Sequence, residues 1–221
     1  MQKAPSYIRD AADVARGVAE LRARCPLIDE AVEIGGMPPL RLNPAGLPGL
    51  LRIVIGQQVS VASAAAIWAR FEKIAGPVEA ERLLRRRETT FRKAGLSGPK
   101  IRTVRAVATA VASGALPIDR AHQIPPEQFR DLLLTVHGIG PWTADIFQMF
   151  CLGLADGWAP GDLALQIEAA VLLGQEASEA RLSIDELEAL AERWRPWRSV
   201  AARVLWCSYQ ARRGTTTGTP V

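Results

Sequence analysis

The amino-acid sequence predicts an all-α fold, and three observations lead to this prediction. Apolar residues recur at the three- and four-residue spacing that places them on one face of a helix. Pro, Gly, Ser and Asn separate these periodic segments, as expected of residues that begin and end helices. No segment shows the alternation of apolar and polar residues between turns that is typical of a strand.

Helix signals follow one another along the whole chain. Ser60 precedes an apolar-periodic segment as an N-cap, and Ser183 with Glu186 forms the S-x-x-E pattern of a capping box. The predicted helices cover about residues 8–24, 44–56, 60–75, 78–86, 88–94, 100–113 and 126–135, and further helices begin at Pro141, Asp162, Ser183 and Pro196.

Length and composition exclude several classes of protein. The 221 residues, 48% of them hydrophobic, suffice for one large domain or two small ones with a buried core. Charges interrupt every apolar run before the ~20 residues that a membrane helix needs. The first residues lack the apolar core of a signal peptide, and the three cysteines form no paired or metal-binding spacing. We therefore expect a cytoplasmic protein without a membrane partner.

The positive charge is concentrated in one segment. From Arg82 to Arg105, nine Lys and Arg residues stand against the single acidic residue Glu88. Two interpretations stay open. Such a run is usually a solvated surface, but clustered cations also bind polyanions such as the phosphates of nucleic acid.

A glycine turn follows the helix that ends near Thr135. In VHGIG, Gly138 and Gly140 allow positive φ and leave no Cβ between the backbone and an approaching surface. Pro141 suits the first position of the next helix, whose free N–H groups form an anion site. Two helices joined by a G-x-G turn can therefore bind one phosphate. The same turn also occurs in ordinary helix–helix connections, so the motif alone does not establish this role.

These features together resemble a known superfamily. LLTVHGIGPWTAD, followed by Asp162 after a further sixteen residues, closely resembles the helix-hairpin-helix and Gly/Pro-Asp signature of base-excision DNA glycosylases. IVIGQQVSVASAAAI, GLSGPKIRTV and ERWRPWRSVAARVLW are similar, in the same order, to segments of the 3-methyladenine DNA glycosylase II branch. The resemblance spans about residues 45–210 and is to compact members without an extra N-terminal mixed domain.

The resemblance implies two helical subdomains with a cleft between them. Residues 51–155 would form the central subdomain with the helix-hairpin-helix motif. The N-terminal helices, within 1–50, would pack with the C-terminal subdomain, 156–213, which carries the catalytic aspartate. The remaining residues, 214–221, have the sequence GTTTGTPV and are predicted to be a disordered tail.

The implied activity is hydrolysis of the N-glycosidic bond of alkylated bases, of the 3-methyladenine and 7-methylguanine type, in duplex DNA. Asp162 is the implied catalytic residue, because an ionised carboxylate stabilises the positive charge that develops on the sugar. It also suits the N-cap of the following helix, and the two roles are compatible. Glycosylases with lyase activity carry a lysine where this chain has Trp142, so we expect an intact abasic product.

Two tryptophans, Trp142 and Trp206, match the aromatic residues that line the base pocket of this branch. An electron-rich indole favours a cationic alkylated base over a neutral one, although buried tryptophans more often serve only in the core. Ile146 departs from the branch, in which many members have tyrosine. The pocket is therefore expected to be more apolar, which affects the range of lesions.

The resemblance also implies DNA contacts. Gln57 or Gln58, with Gln58 preferred, would fill the gap left by the flipped base, although helix capping is an equal alternative. Ser97, Gly98 and Lys100 would hold a phosphate of the opposite strand. The hairpin residues expected to contact DNA are Gly138, Ile139, Gly140 and Thr143. No cofactor is expected to be required, but the backbone carbonyls of Leu134, Val136 and Ile139 would hold a structural Na or K ion that bridges the protein to phosphate.

Other functions remain compatible with parts of the sequence. A related glycosylase could act on deaminated or oxidised purines. A non-catalytic helix-hairpin-helix protein would only bind DNA, but it has no need for Asp162 and the pocket tryptophans. A helical adaptor for other proteins is disfavoured by the basic segment 82–105. We expect a monomer that binds double-stranded DNA in the cytoplasm, associated with the nucleoid if the source is bacterial.

Overall fold

The computed structural model describes residues 6–176 and 180–214. Within them the chain forms twelve α-helices and no strand beyond one isolated bridge, between Tyr7 and Leu154. The all-α prediction is confirmed. The helices are α1 (Ala11–Arg22), α2 (Pro26–Gly35), α3 (Gly46–Gly56), α4 (Val61–Ala75), α5 (Ala80–Arg85), α6 (Glu88–Ala94), α7 (Gly98–Ala112), α8 (Pro126–Leu134), α9 (Pro141–Phe150), α10 (Leu163–Leu172), α11 (Ile184–Ala191) and α12 (Arg198–Arg212).

The predicted caps form as the sequence indicates. The Ser60 hydroxyl accepts a hydrogen bond from the Ser63 amide at 3.2 Å and begins α4. Ser183 and Glu186 form the reciprocal capping box of α11, and the hydrogen bonds from Ser183 lower the pKa of Glu186. None of the helices in the described ranges has both the length and the apolar character needed to span a bilayer.

The helices divide between two compact units. The first, here called the terminal unit, combines the described residues 6–42 with the described residues between 153 and 214. Its central element is α12, which packs against α1, α2 and α10. Glycines permit two of these contacts: a Cβ on Gly35 would lie 2.3 Å from the Ser208 nitrogen, and one on Gly17 would lie 2.8 Å from the Trp197 ring.

The second, here called the middle unit, is formed by residues 43–152 and contains α3 to α9. Its central helix is α3, which is buried along most of its length and packs against α4, α7 and α9. A stack of Trp68, Phe71 and Phe91, with ring centroids 5.5 and 6.1 Å apart, joins α4 to α6. Such stacks stabilise helix pairs beyond the area that they bury.

The structure differs from the sequence analysis in two elements. Helix α2 is not predicted, because Pro26 resembles a break signal but here occupies the first turn of a helix. The predicted boundary at residues 50 and 51 would cut through α3. The structure places the division after Leu42 instead, because α3 as a whole packs against helices of the middle unit. The predicted tail, 214–221, lies outside the described residues apart from Gly214.

Candidate functional site

The predicted helix-hairpin-helix motif is formed by α8, a short turn and α9, all in the middle unit. The rings of Phe129 and Phe147 pack 6.0 Å apart between the two helices. Arg130 Nε donates to Asp145 Oδ1 at 2.6 Å, and Asp145 is almost fully buried. A buried charge pair that is also hydrogen-bonded fixes the geometry of its surroundings. The hairpin is thus held as one rigid element.

Gly138 of the turn is required by packing inside the protein. Its φ is +86°, in the left-handed region that favours glycine. A Cβ at this position would lie 1.9 Å from the Thr103 hydroxyl oxygen of α7. The sequence analysis assigned this glycine to the approach of a phosphate. The structure adds that the close neighbour of Gly138 is α7, and the predicted backbone contact of Gly138 with a phosphate stays a prediction.

Gly140 differs from Gly138 in its backbone conformation and in its packing. Its φ of −97° and ψ of 175° are extended values that any residue adopts, and it is the N-cap of α9. An added Cβ would meet no other atom of the protein within 4 Å. Gly140 therefore leaves open space at the first turn of α9, where the backbone N–H groups of Trp142 and Thr143 lie. This is the part of the hairpin that an anion can approach.

Two further hairpin residues predicted to contact DNA have buried side chains. Ile139 is 5% exposed, and Thr143 is 2% exposed. The Thr143 hydroxyl accepts a hydrogen bond from Gln57 Nε2 at 2.5 Å, which joins the start of α9 to the end of α3. Only the backbone of Ile139 and Thr143 can therefore meet a ligand, and contact of that backbone with DNA stays a prediction.

The two glutamines after α3 point in different directions. The side chain of Gln57 is directed inward to Thr143. Gln58 is exposed at the tip of the turn before α4, with a φ of +56° that is strained for a residue with a side chain. Strain of this kind is common at functional positions. Of the two, Gln58 is the one presented to solvent.

Lys100 does not extend into solvent as a phosphate clamp would. Its ammonium donates to the carbonyl oxygens of Ile55 and Gln57, at 2.7 and 2.8 Å. These carbonyls lie at the C-terminal end of α3, where the helix dipole favours a cation. Partial burial lowers the pKa of Lys100. The structure thus gives Lys100 an internal role as a cap of α3, and its contact with a DNA phosphate stays a prediction.

The turn before Lys100 retains an open helix end. Ser97 is the exposed N-cap of α7, and its side chain makes no capping hydrogen bond. A Cβ on Gly98 would meet only the flexible end of Arg102, at 3.6 Å. The first amides of this 15-residue helix are therefore sterically accessible.

The backbone carbonyls predicted to hold a cation belong to the end of α8 and the turn. The Val136 carbonyl accepts a hydrogen bond from the Ile139 amide at 3.0 Å, and Leu134 is the last residue of α8. No cluster of three or more His, Cys, Asp or Glu side chains suited to a metal ion occurs in the described part of the chain. Any ion at the hairpin would thus depend on main-chain oxygens.

In the terminal unit, Asp162 is the N-cap of α10 and is 6% exposed. One of its oxygens, Oδ1, accepts three hydrogen bonds: from the amides of Ala164 and Leu165, at 3.0 and 3.2 Å, and from Trp206 Nε1 at 3.0 Å. Three N–H donors on one oxygen stabilise the negative charge and fix the plane of the carboxylate. Asp162 is therefore both a cap and an oriented anion.

Trp206 has a more specific position than the sequence indicates. It is 1% exposed, so both faces of its ring are covered in this structure, and its N–H donates to Asp162. Its predicted role as a stacking surface for a base stays a prediction. Trp142 lies in the first turn of α9 and is partly exposed, whereas Ile146 is fully buried and presents no side chain to a ligand.

Sequence reasoning missed the polar residues that support Asp162. Gln166 Nε2 donates to the Pro160 carbonyl at 2.8 Å and so holds the loop that leads to Asp162. Glu168, 1% exposed, accepts hydrogen bonds from the Ser208 hydroxyl and from Arg212 Nε, and thereby ties α10 to α12. The sequence does contain a signal for these two residues. Gln166 and Glu168 are polar residues inside the apolar segment LALQIEAAVLL, and buried polar groups need hydrogen-bond partners.

The chain is similar to known proteins in sequence and in fold. A model described as HhH-GPD superfamily base excision DNA repair protein matches residues 51–190, which is more than half of the chain. The solved DNA-3-methyladenine glycosidase of Bacillus halodurans is 30% identical, with a TM-score of 0.73 and 88% of each chain covered. The 3-methyladenine DNA glycosylase Mag1 of Schizosaccharomyces pombe, solved with abasic DNA, has a TM-score of 0.76 at 24% identity, covering 86% of this chain and 95% of that one. The likeness to Mag1 concerns the fold.

A longer curated relative matches part of the chain. The probable bifunctional transcriptional activator/DNA repair enzyme AlkA of Mycobacterium tuberculosis is 35% identical over 117 residues. The match covers 52% of this chain and 22% of that protein. The matched segment thus spans about a fifth of the length of that relative.

Proposed function

This chain belongs to the HhH-GPD superfamily of base excision DNA repair proteins, and from that premise we propose that it is a monofunctional DNA glycosylase. Its substrate is duplex DNA that contains alkylated bases of the 3-methyladenine and 7-methylguanine type. The observation that carries the proposal is the Asp162 carboxylate, held by three N–H donors at a helix N-terminus. A protein that only binds DNA has no need of so oriented an anion.

Asp162 acts on the transition state of glycosidic-bond hydrolysis. The base leaves with the electron pair of the C1′–N bond, and positive charge develops on the deoxyribose. The carboxylate stabilises this charge and orients the water that adds to C1′, so that the products are a free base and an abasic site. The two amides and the Trp206 indole N–H keep the carboxylate oriented before the substrate arrives.

Alkylation supports selectivity for these bases in two ways. A base alkylated at N3 of adenine or N7 of guanine is cationic, which makes it a better leaving group. A cationic ring is also attracted to an indole face, and we assign that contact to the partly exposed Trp142. Gln58, exposed in a strained turn, fills the gap left by the flipped base.

Phosphates bind at open helix ends. Gly140 leaves the first turn of α9 accessible, and Ser97 with Gly98 does the same at α7. The carbonyls of Leu134, Val136 and Ile139 fit a structural Na or K ion, since the Val136 oxygen uses one of its two lone pairs for the Ile139 amide. Such an ion supplies positive charge to a bound phosphate. The protein acts as a monomer on DNA in the cytoplasm.

The decisive experiment is incubation of the protein with methylated duplex DNA, followed by chromatographic identification of the released bases. Release of 3-methyladenine or 7-methylguanine is the expected result. Release of deaminated or oxidised purines alone would favour the related glycosylases, and binding without any release would favour a non-catalytic helix-hairpin-helix protein.

The monofunctional mechanism makes a separate prediction. Trp142 occupies the lyase lysine position, and no lysine lies between Leu132 and Leu165. The product strand should therefore stay uncut until alkali or an abasic endonuclease is added. A covalent protein–DNA adduct trapped by borohydride would contradict this part of the proposal.

A further inference from the structure

A surface cavity in the middle unit is lined almost entirely by arginines. It measures about 320 Å³, and its lining residues are Glu79, Arg82, Arg85 and Arg86. The lining therefore carries a net charge of two positive units. Its lining includes neither a hairpin residue nor Asp162, and the proposed chemistry does not use it.

The guanidinium groups of this cavity are held close together. Atoms of Arg82 and of Arg86 both lie within 4 Å of one point beside Gly76. In the described part of the chain, neither they nor Arg85 form an ion pair, and the Glu79 carboxylate binds none of them. Like charges this close repel each other unless an anion lies between them.

Arg86 is fixed in place by the backbone. Its Nη2 donates to the Ala75 carbonyl at the end of α4, at 3.0 Å, and its own carbonyl accepts from Arg105 Nη2 at 2.7 Å. Its Nε is buried and has no hydrogen-bond acceptor among the described residues. A guanidinium that is already held in place is well suited to bind phosphate, because it loses little conformational entropy on binding.

The cavity and the hairpin lie on different sides of α7. Thr103 of α7 contacts the hairpin at Gly138, whereas Arg105 of α7 contacts Arg86. Residues two positions apart on a helix point in nearly opposite directions, since each residue turns the helix by about 100°. One phosphate therefore cannot bridge the hairpin turn and the cavity.

We propose that the Arg82–Arg85–Arg86 cavity binds a phosphodiester group of the same duplex at a distance from the excised base. The inference rests on the proposed function and adds a second backbone contact to it. A duplex that is bent at the lesion presents flanking phosphates to a larger surface than a straight one. The contact is independent of sequence and of the lesion, because phosphates carry no base information.

The test compares two duplexes that carry the same abasic analogue. One has about one helical turn, about 10 base pairs, and the other has about three turns. The test variant is Arg82→Gln with Arg85→Gln, which leaves the backbone-bound Arg86 in place. The matched control is Arg9→Gln with Arg193→Gln, which removes the same charge from exposed positions of the terminal unit. Affinity is measured across a salt series.

For the long duplex, we expect the test variant to bind about three- to tenfold more weakly than the wild type. The magnitude of the slope of log affinity against log salt should decrease by about 0.9. For the short duplex, test variant and control should match. Equal behaviour of test variant and control on the long duplex would overturn the cavity site, as would an equal loss on both duplexes.

Failure of the proposed cavity site can be distinguished from failure of the proposed glycosylase activity. Base release from methylated DNA by the wild-type protein, measured at saturating protein, reports on the glycosylase alone. If the wild type releases bases but the cavity variant binds like the control, only the cavity site fails. If no bases are released but affinity for the long duplex still depends on Arg82 and Arg85, only the proposed glycosylase activity is contradicted.

Discussion

The two units of the chain treat their arginines differently. In the terminal unit, Arg16, Arg22, Arg195, Arg198 and Arg212 all pair with carboxylates of the same unit. In the middle unit, Arg92 and Arg130 are paired, but the arginines of the cavity form no ion pair among the described residues. Ion pairs within the protein neutralise the charge of an arginine, whereas an arginine without such a pair can bind an anionic ligand.

The difference matches what each unit contains. The terminal unit holds Asp162, and its paired arginines include Arg212, which ties α12 to Glu168 of α10. The Arg212–Glu168 pair therefore helps to fix α10, the helix that begins after Asp162. The middle unit holds the hairpin and the cavity arginines, which form no ion pair among the described residues and whose charge is available to a polyanion. Substitutions should accordingly separate into effects on the rate of base release and effects on DNA affinity.

The largest expected effect is that of Asp162→Asn in the terminal unit. The rate of base release should fall at least about a hundredfold, because the carboxylate acts on the charged transition state. Affinity for an abasic-analogue duplex should stay within about tenfold. Asn is also a good N-cap, so the Tm should change little. Single-turnover base release measures the rate, and wild-type rates for this variant would leave Asp162 only a capping role.

Within the middle unit, the two glycines of the hairpin should differ in how much their substitution affects stability. Gly138→Ala should lower the free energy of unfolding by about 2–4 kcal/mol, because its Cβ clashes with Thr103 at a positive φ. Gly140→Ala should change stability by about 1 kcal/mol or less, since its φ suits any residue. Chemical denaturation distinguishes them, and equal losses would show that the contact with α7 is unimportant.

Gly140→Asp tests the open helix end directly. It adds bulk and a negative charge at the first turn of α9, so binding to damaged and undamaged duplex should weaken about tenfold. Gly140→Ala is the control for bulk alone, and binding should be measured over a salt series. Wild-type affinity of the Asp variant at every salt concentration would make the hairpin a structural turn only.

A smaller effect is expected from Trp206→Phe in the terminal unit. This change removes the N–H bond to Asp162 but keeps an aromatic ring in the core. One hydrogen bond to a charged group corresponds to about a tenfold loss of rate, while DNA affinity should not change. If affinity falls and the rate at saturation does not, Trp206 contacts DNA and does not position Asp162.

The sequence predicted most of the local structure correctly. The caps at Ser60 and Ser183, the hairpin around VHGIG and the all-α class depend on neighbouring residues, so their signals lie within a few positions of one another. The proposed family was also recognisable, because its motifs are contiguous. Helix α2 was missed since Pro26 has the same local signature at a helix start as at a break.

The sequence by itself therefore determined most of the helices, the start of a helix at Asp162 and the segment in which positive charge accumulates. Only the tertiary structure decided what each side chain faces. It packed Gly138 against α7, directed the Lys100 ammonium to the end of α3 and buried Trp206 against Asp162. It also left the cavity arginines without an ion pair among the described residues. Contacts of this kind join residues 35 to 45 positions apart and depend on how helices pack, which no local pattern encodes.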